Sequence, residues 1–487
     1  MDKTRGAQTR ARIKWIEDGE KATQYFCSLE KSRQKKNVIL KLQKENGEIL
    51  MDNKDIMQEE VNFYETLYNQ KTIEDNVKEA TERFIKDETF PRLQESQADT
   101  CEGMISLEES TRALKAMNNG SAPGNDGLTT EFYKMFWCKI GSMVIEAFNE
   151  SFKSGDLSYT QKQGVITLIH KGSDLNREHF TNWRPITLLN TDYKILAKVL
   201  AVRLGAVIQD LISTDQVGYL KGRNIATVIR TIDDVVNYLN VTKQAGYLLA
   251  LDYAKAFDSV SKDYLLHVFE VFGFKPDFQR WVRVLMTDSM SSINHGGWVS
   301  KPFQVNCGIR QGCPFSPLGF VLAVELLATK IRNSTIAGIS VSLRGNQPLE
   351  SLKIKQLADD TTLFLKDRHD MEKAIDIVSL FGRFSGLQLN IRKTKAMRMG
   401  SQAVEHNLPV TVVDKIKILG IYFTKEKMAR DLKENWEGRV DRIHKLIKLW
   451  NRRDLSIHGK IVVIKTFLLS QVTYVMQSIG LPQEVLV

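Results

Sequence analysis

The chain has 487 residues, 43% hydrophobic and 26% charged, which is too long for one small module and too apolar for a disordered tail. Sixty-eight Lys and Arg against 58 Asp and Glu leave a net charge of +10, which favours a polyanionic partner. The five cysteines, Cys27, Cys101, Cys138, Cys307 and Cys313, are odd in number and never paired as C-x2-C, so a disulfide framework and a structural zinc site are not expected and a reducing compartment is the simpler setting.

From the N-terminus, MDKTRGAQTR has no apolar run after its charges, and no secretory leader is expected. Residues 51–110 hold 16 acids and 6 bases, a local balance of −10, so the remainder carries +20. Part of that excess lies in KWIEDGEKATQYFCSLEKSRQKK and between Lys425 and Lys465. The acidic segment predicts solvated helices with Phe63, Leu67, Phe84 and Ile85 as their apolar positions. Ser106 and Glu109 form an S-x-x-E capping box into LEESTRALKAMNN, a helix that should stop in GSAPGNDG. GVITLIHKG and WRPITLLN predict an extended pair, followed by a helix from about Asp192 to Leu211. YLLALD is an apolar run of strand length ending in a carboxylate, and SVSKDYLLHVFEVFGF resumes a helical period. CGIRQGCPFSP is too rich in Gly and Pro to be regular, whereas GFVLAVELLATKIR predicts a helix. LKIKQLADDTTLFLK reads as a hairpin through Asp359 and Asp360. A helix over MEKAIDIVSLFGRFSG, a strand over VDKIKILGIYF and a basic helical tail complete the chain. The apolar stretches FVLAVELLA and KIVVIKTFLL are interrupted by Glu325 and Lys465, and neither is expected to cross a membrane.

Asp252 closes one predicted strand, and the Asp359–Asp360 pair follows 107 residues later at a hairpin tip. Carboxylates at strand ends suit divalent ions, because Mg2+ takes hard oxygen ligands and commonly shares them with substrate phosphates. Two ions about 3.5–4 Å apart can activate an attacking hydroxyl and stabilise a leaving oxygen. An isolated Asp-Asp between strands is also ordinary turn chemistry, so the pair alone does not decide.

The surrounding blocks carry more. APGNDGLTTEFYK, TLIHKGSDLNREHFTNWRPITLLNTDYKILAKVLAVRL, DQVGYLKGR, LLALDYAKAFDSV, GIRQGCPFSPLGFVLAVELLA, LADDTTLF, FGRFSGLQLNIRKTKAM and KILGIYF occur in that order. Together they resemble reverse transcriptases, most closely those of non-LTR (LINE-type) retrotransposons. The resemblance implies an α+β right-hand polymerase: a helical N-terminal extension over 1–105, fingers over 106–245, a palm with an antiparallel ferredoxin-like sheet over 246–423, and a partial helical thumb over 424–487. It implies RNA-directed DNA synthesis with RNA template, DNA primer and dNTPs as partners and two Mg2+ ions as cofactors, Mn2+ being a possible substitute. Asp252, Asp359 and Asp360 match the family's catalytic carboxylates, with the Tyr253 carbonyl completing one ion's ligands. Asp258 is expected to buttress the turn after Asp252.

Phe257 matches the aromatic that excludes a 2′-hydroxyl, although an aromatic at a strand end also serves as core packing. Gln311 and Gly312 resemble the nucleotide-side loop, Lys171 and Arg184 the cations that clamp the triphosphate, and Lys393 the lysine that protonates pyrophosphate. A solvated loop lysine is the plain alternative for Lys171. Lys445, Lys448, Arg452, Arg453 and Lys460 are available to phosphates in the thumb-like tail, where a solvated helix face is the alternative. The opening RARIKWIEDGEKATQYFCSLEK resembles the family's RNA-binding lead segment.

Three departures stand out. Leu357 replaces the usual Tyr or Phe before Ala-Asp-Asp, Gly319 stands where a larger apolar residue is usual and is expected to loosen its helix, and neither an endonuclease nor a Cys/His knuckle is expected within these residues. A catalytically dead remnant that only binds nucleic acid is the alternative from another class. An RNA-dependent RNA polymerase is disfavoured by Phe257 and by Ala358.

Overall fold

The computed structural model describes residues 38–44, 46–172, 175–341, 351–400, 407–424, 433–453 and 455–480. Helices and strands mix without a regular β-α-β alternation, giving the expected α+β class. The chain forms two compact units, each assembled from separated stretches. One comprises Met1–Ile73, Arg92–Ile208 and Phe257–Phe320, the other Glu74–Pro91, Gln209–Ala256 and Val321–Val487.

In the second unit, a five-stranded sheet has Gly246–Leu251 at its centre. Asp360–Leu365 and Lys395–Met399 flank it, both antiparallel, with Ile354–Leu357 and Thr411–Val413 outermost. YLLALD reads as a near-continuous apolar run because a central strand is covered on both faces, and Tyr247, Leu248 and Leu249 are fully buried. Leu248, Phe364 and Met397 pack with Val228, Ile229, Ile232 and Val236 of the helix Ile225–Thr242. Each such side chain contributes about 1.5–3 kcal/mol by leaving water. That core makes the sheet a rigid base for whatever stands at the strand ends.

In the first unit, Trp183–Leu189 pairs antiparallel with Gln163–His170, which runs parallel to Met290–His295. The helix Asn53–Tyr68 lies over this sheet through Tyr64, Leu67 and Tyr68, packed with Ile166, Trp183 and Ile293. The Ser106–Glu109 capping box forms as expected, and its helix spans Leu107–Lys115.

Several expectations need correction. VDKIKILGIYF is two strands, Lys415–Ile418 and Ile421–Thr424, turning at Leu419 and Gly420, both at positive φ. The alternation of apolar residues continues through the turn, which hides it from a periodicity count. KIVVIKTFLL lies within one helical stretch, Ile457–Ser478, whose 22 residues are long and apolar enough to cross a membrane by length and composition. The expectation stopped at Lys465, but no further charge follows before Ser478. The described part of the N-terminal region also includes a short ladder, Leu42–Gln43 against Ile49–Leu50, beside its helices. Gly319 does not interrupt its helix, Ser316–Asn333, where an added Cβ would meet the Phe315 ring at 3.3 Å. The lead segment resembling an RNA-binding element lies outside the described residues. Three long helices went unpredicted: Thr130–Ser154, Ile225–Thr242 and Pro276–Met286.

Candidate active site

The hairpin between Ile354–Leu357 and Asp360–Leu365 turns in two residues, Ala358 and Asp359, with Asp360 paired to Leu357. Ala358 takes φ +56°, the left-handed value that primed hairpin turns require at their first central position. On the neighbouring strand, Thr361 lies opposite Leu251, so the next step along both strands brings Asp360 and Asp252 to the same sheet end. Asp252 and Asp359 are half-buried and Asp360 is exposed.

A loop from Gln388 to Thr394 fixes the backbone around Asp252. The Asp252 N–H donates to Thr394 Oγ1 at 3.2 Å, and its carbonyl accepts from the Asn390 N–H at 2.7 Å. The Ala254 N–H donates to the Gln388 carbonyl at 2.9 Å. These bridge bonds come from Asp252 and Ala254 rather than from Tyr253. Lys393 sits exposed on the same loop, which brings it to the neighbourhood of Asp252.

The negative field at the hairpin reaches nearby phenols. Burial first, then Asp359 and Asp360, push the Tyr219 hydroxyl above its ordinary pKa, and burial together with Asp359 does the same at Tyr253. Tyr219 is 57% exposed and sits at φ +59°, a strained position for an aromatic. The block DQVGYLKGR suggested the family but assigned Tyr219 no role. Its neighbour Gly218 was the one signal of a close backbone approach.

Among the described residues, no three His, Cys, Asp or Glu side chains converge as a ready-made ion cage. The donors at the sheet end are carboxylates, the right chemistry for a hard divalent ion. Such an ion commonly takes one or two protein carboxylates and completes its shell with substrate oxygens and water.

The nucleotide-side candidates other than Lys393 belong to the first unit. Arg184 is exposed on Trp183–Leu189, paired with Ile169. Lys171 follows the partner strand, and its Nζ donates to the Thr181 carbonyl at 2.9 Å. The Gln311–Gly312 loop docks on the same strand as Arg184: the Thr187 N–H donates to the Gln311 carbonyl at 2.8 Å. Gly312 sits at φ +132°, and a Cβ there would lie 2.4 Å from the Thr187 carbonyl oxygen. Only glycine fits.

The Gln311 side chain is engaged. Its Nε2 donates to both carboxylate oxygens of Asp258 at 3.2 Å, while the Tyr68 hydroxyl donates to Asp258 Oδ1 at 3.0 Å. Asp258 is 2% exposed. It braces more than the following turn, since it orients Gln311 and ties in a helix 190 residues upstream. Burial and the Asp258 charge hold the Tyr68 phenol well above its usual pKa, keeping it a donor. Tyr68 was missed because nothing local marks so distant a partner. Phe257 stacks on Phe320 at 4.3 Å between ring centroids, so one ring face is packed while the residue remains half-buried.

Lys445, Lys448, Arg452, Arg453 and Lys460 are all exposed along the helices Gly438–Trp450 and Ile457–Val463 and the turn between them. The Arg453 guanidinium lies over the Trp450 ring at 4.6 Å.

Carboxylates at one end of an antiparallel sheet are the donor set of the nucleotidyl-transferring class of site. Residues 169–423, just over half of the chain, match the model of the reverse transcriptase (RNA-dependent DNA polymerase) family, and the chain belongs to that family. Family membership implies a right-hand polymerase fold and divalent-metal chemistry. Among its relatives, the Transposon TX1 uncharacterized 149 kDa protein of Xenopus laevis is 29% identical over 99% of this chain and 36% of its own length. A Retrovirus-related Pol polyprotein from type-1 retrotransposable element R2 of Popillia japonica is 24% identical over 64% of this chain and 42% of its own. The Probable RNA-directed DNA polymerase from transposon X-element of Drosophila melanogaster is 23% identical over 77% and 41%. The chain therefore spans well under half the length of these relatives. Their names place them in transposons or retrotransposable elements, in keeping with the non-LTR resemblance.

Proposed function

We propose that the chain is the RNA-directed DNA polymerase of a non-LTR retrotransposon. The observation that carries this is that the strand register sets Asp252, Asp359 and Asp360 at the same end of one sheet, inside the family's matched region. In this reading, the palm spans 246–423 with a ferredoxin-like sheet. The fingers span 106–245, the N-terminal extension 1–105 and a partial thumb 424–487.

Asp252 and Asp359 would hold two Mg2+ ions, with Asp360 and the Tyr253 carbonyl in support. The bound ions, or Mn2+ in their place, supply Lewis-acid activation of the primer 3′-hydroxyl and charge stabilisation of the leaving pyrophosphate. Arg184 offers a planar fork to triphosphate oxygens, and Lys171 adds a point charge once its Nζ leaves the Thr181 carbonyl. Lys393 would donate a proton to the departing pyrophosphate. Gln311, with its Nε2 turned to Asp258, presents its Oε1 as a fixed acceptor, and Gly312 lets the backbone come close.

Primer extension on an RNA template with dNTPs and Mg2+ tests this reading. Ribonuclease-resistant product complementary to the template is expected. Duplex binding without any extension, in Mg2+ or Mn2+, would instead favour a remnant that only binds nucleic acid.

Phe257 carries the discrimination against ribose in this reading, its free face toward the incoming sugar and its other face on Phe320. Phe257→Ala is expected to raise the rNTP-to-dNTP ratio of kcat/KM by about tenfold or more, because removing a steric block of 1–3 kcal/mol admits the hydroxyl. Unchanged discrimination would leave Phe257 as packing alone.

The exposed cations of the tail would grip the template-primer backbone without reading sequence. Template affinity should then fall with salt on a log-log plot at a slope of roughly −0.7 to −0.9 per phosphate contact. Replacing Lys445, Lys448 and Arg452 together by Gln is expected to flatten that slope by about 2–3. A slope identical to the parent's would take these three residues out of the grip.

A further inference from the structure

The segment Asp215-Gln216-Val217-Gly218-Tyr219 was placed in the family by its block but given no chemistry. In the second unit it runs beside the hairpin that bears Asp359 and Asp360. The Val217 N–H donates to the Gln356 carbonyl at 2.9 Å, and the Gln356 N–H donates to the Asp215 carbonyl at 2.9 Å. This is a one-residue parallel bridge added to the edge strand Ile354–Leu357. It turns the Gln216 side chain inward, where it is fully buried.

That side chain meets both polar groups of Ala358. Gln216 Oε1 accepts from the Ala358 N–H at 2.8 Å and from the Gly218 N–H at 2.8 Å, while Nε2 donates to the Ala358 carbonyl at 3.3 Å. The amide orientation is settled by chemistry, since the flipped form would set an NH2 group against two N–H donors. A second brace lies one peptide further on. Gln356 Nε2 donates to Thr361 Oγ1 at 3.0 Å, whose hydroxyl donates to the Asp359 carbonyl at 3.4 Å. Each peptide plane adjoining Asp359 is therefore tied to a buried side chain.

Ala358 needs such support. Its φ of +56° is unfavourable for a residue with a Cβ, and conformations of that kind persist where the surroundings over-determine them. Gly218 belongs to the same device: an added Cβ would lie 2.5 Å from the Ala358 nitrogen. Gln is the neutral side chain long enough to offer an acceptor with two lone pairs and a donor together. Asn is one methylene shorter, and Met has the length without the polar atoms.

We infer that Gln216 is a positioning residue for catalysis: its amide clamps Ala358 in the left-handed turn that aims the Asp359 carboxylate at its metal. It acts through Asp359 and touches no substrate. The kinetic side of this inference rests on the polymerase reading above, whereas its metal-binding side does not.

The test uses the full chain with Gln216→Met and Gln216→Glu, following terbium luminescence on titration with Tb3+ alone, thermal melting, and primer extension on an RNA template. Gln216→Met is expected to weaken Tb3+ binding about tenfold and lower kcat about ten- to a hundredfold, with KM for dNTP within about twofold of the parent, because a sub-ångström to 1 Å misplacement acts on the reacting geometry. Gln216→Glu should recover most of both, since burial favours the neutral acid, which carries an acceptor and a donor like the amide. A folded Gln216→Met protein with the parent's Tb3+ affinity and kcat would overturn the clamp, as would a Glu variant no better than the Met one. Should Gln216→Met not fold, Gly218→Ala presses on Ala358 with the amide intact, and parental Tb3+ affinity in that protein would overturn the clamp equally. If the parent extends no primer, the polymerase reading fails while the terbium comparison still decides the role of Gln216.

Discussion

Asp359→Asn is expected to slow nucleotide addition by about a thousandfold or more, a loss of several kcal/mol at about 1.4 kcal/mol per tenfold. The substitution keeps the shape of the side chain and removes its charge at the turn residue between Leu357 and Asp360. Asp359 is half-exposed, so the Asn protein should melt within a few degrees of the parent, and duplex affinity should hold because the carboxylate does not contribute to the basic grip. Asp252→Asn should behave alike, since its strand pairs directly with the one that begins at Asp360. Asp360, the exposed member, should tolerate Asn with a smaller loss. Single-nucleotide incorporation measured with enzyme in excess separates this chemical defect from slow product release.

Gly312→Ala is expected to damage both stability and dNTP binding. Two penalties coincide there: a φ of +132°, and a Cβ 2.4 Å from a backbone oxygen that belongs to the sheet. Strain of this kind costs about 1–3 kcal/mol if the loop stays and is relieved only if the loop moves. Movement would pull Gln311 from Asp258, and KM for dNTP should then rise by about tenfold. Gly155→Ala is the matched control. It has φ +82° at the end of the helix Thr130–Ser154 and nothing within 4 Å of an added Cβ. That protein should lose some stability from the positive φ alone, read as a lower Tm, and keep the parent's KM. Equal KM values in both variants would detach the loop from nucleotide binding.

The parts of this structure that were legible in advance share a physical cause. YLLALD announces itself because a strand covered on both faces is apolar throughout, and a carboxylate at such a strand's end has to leave the core, while LADDTTLFL shows itself by an Asp pair between two short β-type runs. The capping box at Ser106 was legible because its two partners are three residues apart. Distant pairings were not. Tyr68 and Asp258 are joined by a hydrogen bond across 190 residues, and Gln216 reaches Ala358 across 142. In the sequence, Gln216 looks like one more polar residue in a loop. The hairpin in KILGIYF was hidden because Leu419, a residue with a side chain, takes φ +48° at the turn and only Gly420 marks it. The helix Ile457–Ser478 was cut short at a single lysine, although its apolar Ile457, Val462 and Met476 stand exposed along it.

Whether the carboxylates at the sheet end carry out templated DNA synthesis is decided by single-nucleotide addition. A DNA primer annealed to RNA is offered one complementary and one non-complementary dNTP in turn, with the parent, Asp252→Asn and Asp359→Asn proteins at matched duplex occupancy. The parent is expected to add only the complementary nucleotide, while both variants bind the duplex yet add almost none. Addition by the variants at the parent's rate, or a parent that binds and never adds, would overturn the assignment of polymerase chemistry to these carboxylates.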